Sequence, residues 1–289
     1  MIGISILAIT FFLGYLTVPS FRSEMKAFEV EVIDVQNETL QPKDVQTKKS
    51  EFVPEFIDLP SFEEFENVET KGKLIEILDD RIYRQSEVVA KSGEKWLVFE
   101  QDGDHRLKDS TASVKKLKSV SWPGDEQDAR LTFSGGGNPM IAVKDIPGLK
   151  PGKINTLFYS SLGKEVSDNE HKEREMVDGF NREFKLNDTI FILRVSKGLT
   201  KDEVKVGVLV LESNGLKQVI KQTNQVISDE EYIVGSLLWA GDLDGDGKLD
   251  MYFDEFNEKG YTGTELHLSS LAKSGKLVKL AASFGMAGC

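Results

Sequence analysis

Asp242, Asp244, Asp246 and Asp250 stand at positions 1, 3, 5 and 9 of a loop over residues 241–250, with Gly247 at position 6. Alternate carboxylates on a curled backbone can converge on one point if the chain turns sharply at a glycine, which suits a hard cation such as calcium with its about six to eight oxygen ligands. By the usual numbering of such loops the backbone carbonyl of Lys248 supplies the position 7 ligand, with its side chain turned to solvent. Aspartates packed this closely repel one another unless a cation or water separates them, so an ordered loop of this composition implies a bound ion. The expected role of that ion is structural.

The flanks of the loop show what must position it. Leu249, Met251 and Phe253 alternate with Asp250, Tyr252 and Asp254, the period of a strand with one buried face. On the entering side, residues 232–240 are apolar and strand-compatible, where an EF-hand has an amphipathic helix. Position 12, the bidentate glutamate of an EF-hand, is Phe253, which cannot ligate. The run therefore resembles the DxDxDGxxD calcium loops of FG-GAP and VCBS-type repeats and, more loosely, of dockerins in secreted bacterial proteins. That resemblance implies Asp242, Asp244, Asp246 and Asp250 as side-chain ligands and Lys248 as a carbonyl ligand to Ca2+, with Asp254 and Glu255 as extras. It covers residues 238–254, in a single copy, and no self-similarity of the chain supplies the blades that a repeat propeller needs.

The remaining candidate chemistry is weaker. Glycines 135–137 lie in a run that lacks the Lys-Ser/Thr of a phosphate-binding loop, and a turn is the expected reading. His105, His171 and His267 have no zinc-ligand spacing. No Gly-x-Ser-x-Gly elbow occurs, and Trp96, Trp122 and Trp239 are expected in the core rather than on a sugar. The 48 acidic residues could hide a hydrolytic carboxylate pair that sequence alone does not locate.

With 289 residues and 39% hydrophobic content, the chain can bury one large core or two modest ones. A formal charge of −12, from 48 acidic and 36 basic residues, argues against nucleic acid or an anionic membrane surface as the main partner. The single cysteine, Cys289, forms no intrachain disulfide. Residues 2–18 are uncharged and apolar, and as a helix would reach about 25 Å. An export signal and a membrane anchor both fit this segment, and a buried helix of a cytosolic domain is the third reading.

The expected fold is mainly β. Residues 1–20 are the signal or anchor and 21–71 a linker or poorly ordered stretch; 72–125 form a small β domain and 126–289 an antiparallel meander or sandwich carrying a strand-loop-strand calcium site at 242–250. Residues 91–100 and 105–108 read as two strands about a Gly-containing turn. Residues 188–195, 204–211, 265–269 and 276–281 read as further strands, and Asn214-Gly215 as a tight hairpin turn. Residues 167–180, polar nearly all round, are expected as a loop or short helix. Together these readings describe an exported, non-enzymatic calcium-binding protein that meets a protein or carbohydrate partner or sits in the envelope. The alternatives are a secreted hydrolase braced by the same loop and a calcium-responsive adhesion protein.

Overall fold

The computed structural model describes residues 68–70, 72–78, 82–100, 105–117, 128–135, 140–160, 174–199, 204–223, 226–228, 231–256 and 262–286. They belong to one compact unit, Phe52–Cys289. The apolar segment 2–18, the stretch 21–67, Asp102 and Asp104, residues 136–139, Trp122, His171 and Cys289 lie outside the described residues.

Alternating apolar residues and turn formers produce a mainly β, antiparallel architecture, with no helical element among the described residues. Among the described residues there is accordingly no helix long and apolar enough to cross a membrane. A short hairpin, β1 (Glu69–Thr70) and β2 (Lys73–Leu74), leads into β3 (Glu76–Leu78), β4 (Ile82–Arg84), β5 (Lys95–Glu100), β6 (Arg106–Lys116), β7 (Asp128–Phe133), β8 (Ile141–Lys144) and β9 (Gly152–Lys153). These seven form one sheet in the order β3-β8-β5-β6-β7-β4, with β9 beside β6. Next come β10 (Asn155–Tyr159) and β11 (Glu175–Val177), then β12 (Asn181–Leu186), β13 (Thr189–Leu199), β14 (Lys205–Ser213) and β15 (Leu216–Thr223). The last four make a separate meander, β12-β13-β14-β15. β16 (Val226–Ser228), β17 (Glu231–Asp242), β18 (Asp250–Phe256), β19 (Thr262–Leu268) and β20 (Lys279–Met286) complete a second seven-stranded sheet, β10-β17-β18-β19-β20, with β11 and β16 on β17.

The sheets stack in three layers. In the first sheet one face turns inward on itself: Leu78, Tyr83, Trp96, Val98, Ala112, Leu131 and Ala142, drawn from six strands, meet in a single cluster, so the sheet is curled. Its opposite face, with Ile77, Phe99, Leu107, Ile141 and Val143, packs on Leu238, Trp239, Tyr252, Leu266 and Leu268 of the second sheet. The other face of that second sheet, with Leu237, Ala240, Met251 and Phe253, packs on Phe184, Leu186, Phe191, Leu193, Leu209 and Leu211 of the meander. The second sheet is therefore central and covered on both sides. Each large apolar side chain fully buried there contributes about 1.5–3 kcal/mol.

Two consequences follow for the strands that carry the loop. The alternation in β18 implies a single buried face, yet Tyr252 is as buried as Met251 and Phe253, because an apolar layer lies against each side. In β17 the register shifts between Leu237 and Trp239, and this bulge turns Leu238 and Trp239 to the same side, with Leu237 and Ala240 on the other. Trp239 donates its indole N–H to Thr156 Oγ1 at 2.9 Å, as a core tryptophan should.

Several boundaries differ from expectation. The first sheet runs through the boundary at residue 125 to Lys153, because the eleven-residue β6 pairs β5 along its first half and β7 along its second. Val68, Glu69 and Thr70 fall inside the stretch expected as linker, but Val68 N–H donates to Ala281 O at 2.9 Å and β1 pairs β2. Of the stretch expected as loop or helix, the described part includes β11, which pairs β17. The Asn214-Gly215 hairpin has positive φ at both residues, 49° and 77°, and closes with Ser213 opposite Leu216, the geometry that this dipeptide favours.

Between the central sheet and the meander lies a buried ionic cluster. Glu265 on β19 accepts from Lys221 Nζ on β15 at 3.3 Å, and its second oxygen lies 3.2 Å from His267 Nε2. Burial pushes the Glu265 carboxyl up, but the His267 hydrogen bond and the Lys221 charge outweigh it and hold the group down at about 2. Gln218 of β15 adds a second tie: it accepts from Leu277 N–H and Val278 N–H at 2.6 and 3.1 Å and donates to Val278 O at 2.8 Å.

Candidate functional site

The acidic loop joins β17 to β18. Asp242 is the last residue of β17 and Asp250 the first of β18, and the pairing of Gly241 with Asp250 brings the two ends of the loop together. Glycine is required at position 241 for proximity: a Cβ there would lie 2.1 Å from Asn155 O and 2.6 Å from the Trp239 ring. At Gly245 and Gly247 the requirement is conformational, since each has φ of +79°.

The loop curls around its own carboxylates. Asp242 accepts Gly245 N–H at 2.8 Å and Gly247 N–H at 3.0 Å, Asp244 accepts Asp246 N–H at 3.3 Å, and Asp246 accepts Lys248 N–H at 2.9 Å. Such side-chain to backbone bonds hold a turn that neither strand pairing nor helix could provide. Asp250 is the fixed point. It is 0% exposed, Oδ2 accepts Leu243 N–H at 2.9 Å, and Oδ1 accepts both the N–H and the O–H of Ser269, at 2.8 and 2.9 Å. Burial, with the Asp244 charge beside it, pushes the Asp250 carboxyl up to about 8 against those hydrogen bonds. Burial also raises Asp244, and Asp246 and Asp242 add to the rise.

Asp242, Asp244 and Asp250 each offer an oxygen within 4.8 Å of the other two. The remaining sequence candidates stand differently. Asp246 is exposed and is not one of this group; both of its oxygens lie 3.1 Å from Ser269 Oγ, so it competes with Asp250 for that one hydroxyl proton. Lys248 has an exposed side chain, as expected. Asp254 lies further along β18, paired with Ser236 and Thr264, and does not join the group. The described histidines are elsewhere: His105 is among the rings of Phe99 and Tyr159, and His267 is in the ionic cluster.

Three residues hold the site that the motif does not contain. Ser269, at the end of β19, serves Asp246 and Asp250, and the O–H of its neighbour Ser270 donates to Asp244. Asn187, in the β12–β13 turn with φ of 53°, donates from Nδ2 to Gly247 O at 3.3 Å. The site is thus the meeting point of three connections, β17–β18, β19–β20 and β12–β13, drawn from the central sheet and the meander. An all-oxygen set of carboxylates at this spacing suits a hard cation and gives a soft one no thiolate or imidazole.

These features define an antiparallel three-layer β protein with a buried aspartate at the root of an acidic turn. Comparison with protein-family models, with curated proteins and with solved structures finds no match for the chain.

Proposed function

We propose that this is an exported, non-enzymatic β protein in which one calcium ion staples the β17–β18 turn, and that it works as a binding or envelope component. The observation that carries the reading is the convergence of Asp242, Asp244 and Asp250, with Asp250 fully buried at the base of the turn. Two of these carboxyls are raised by burial and mutual repulsion, a penalty that a divalent cation removes by supplying the opposite charge. Asp242, Asp244 and Asp250 would hold the ion, with Asp246 and the Lys248 carbonyl completing the set as the loop numbering assigns them.

Bound there, calcium supplies charge neutralisation and no reaction. The surrounding residues do the mechanical work: Ser269 and Ser270 tie the carboxylates to the β19–β20 connection, and Asn187 ties the loop backbone to the meander. The stapled element is therefore the turn at which three chain segments meet. Extracellular calcium modules bind with dissociation constants of roughly 10⁻⁴ to 10⁻³ M, which matches an exported protein and not one in calcium-poor cytosol. The net charge of −12 argues against nucleic acid as the partner.

The test is a thermal melt in calcium against one in chelator. At calcium roughly ten- to a hundredfold above the dissociation constant, linkage gives about 1.4–2.7 kcal/mol of added stability. For a unit of this size that raises the midpoint by roughly 3–10 °C. An unchanged midpoint at 10 mM calcium, a concentration on the order of ten times the weakest constant in that range, overturns the reading.

A further inference from the structure

We draw no further inference here: the strongest candidate, the open concavity on the outer face of the meander between Ile190, Ile192 and Leu216 and the charged Arg194, Glu212 and Lys217, has nothing in the structure that shows what covers it.

Discussion

Replacing Asp250 with asparagine separates the two jobs that the proposed site gives this residue. Its carboxylate accepts three hydrogen bonds, from Leu243 N–H, Ser269 N–H and Ser269 O–H, and is also a proposed calcium ligand. Asparagine has the same shape but one acceptor oxygen. If that oxygen keeps Ser269, the amide NH2 faces Leu243 N–H, and one buried donor loses its partner at a cost of about 1–3 kcal/mol. Above pH 8, where Asp250 is charged in both conditions, that cost is the same with or without calcium. The lost ligand is a separate term, worth up to about 1.4–2.7 kcal/mol at ten- to a hundredfold calcium excess and zero in chelator. Thermal unfolding of wild type and Asp250→Asn in both conditions therefore gives two differences: roughly 2–12 °C in chelator, and a larger one in calcium. The chelator arm reads the hydrogen bonds and the calcium arm adds the ion. Equal differences in the two conditions would refute the argument, leaving Asp250 as a buckle between Leu243 and Ser269 with no part in cation binding.

Three further outcomes follow. In chelator, Asp250 with its carboxyl raised to about 8 gives a folded state that binds more protons than the unfolded chain above pH 4 or so, so stability falls as pH rises towards 8. Calcium requires the deprotonated carboxylates, so the gap between calcium and chelator midpoints widens with rising pH, and a gap that narrows contradicts it. Glu265→Gln removes the charge of a carboxylate buried against Lys221 and His267 and is expected to cost about 3–5 kcal/mol, with Lys221→Met added to it recovering part of the loss; urea unfolding of the single and double variants checks this. At the acid end Glu265 has the opposite sign to Asp250: its lowered pKa contributes stability above its unfolded value near 4.5, lost as pH falls towards about 2, which an acid titration followed by circular dichroism reads.

What the residues reveal by themselves is local. The Asn214-Gly215 turn, the alternation of Leu249, Met251 and Phe253, and the β-branched runs of β13 and β14 each carry their own conformational reason, and the strands form where those signals lie. The carboxylates of the loop were legible for the same reason, since Gly245 and Gly247 and the alternate aspartates define their own curl.

Features that depend on distant segments were not legible. Ser269 and Ser270 are an ordinary serine pair after a strand, and only the antiparallel β18–β19 pairing places them against Asp244, Asp246 and Asp250. Lys221 and Glu265 carry no mark of their contact, because it depends on the meander lying over the central sheet. The burial of Tyr252 is hidden for a related reason: a one-sided strand and a strand between two layers can share one alternating pattern when the second face uses an aromatic with a polar tip. The run of the first sheet past residue 125 depends on β6 changing partners midway, which its composition does not signal.

In the proposed function the acidic turn binds one calcium ion through Asp242, Asp244 and Asp250. A calcium titration by calorimetry on the full chain tests it most directly, with Asp244→Ala alongside. One ion per chain is expected, with a dissociation constant of roughly 10⁻⁴ to 10⁻³ M, and loss of that binding in the variant. No heat of binding across that range, or unchanged binding in Asp244→Ala, would contradict it.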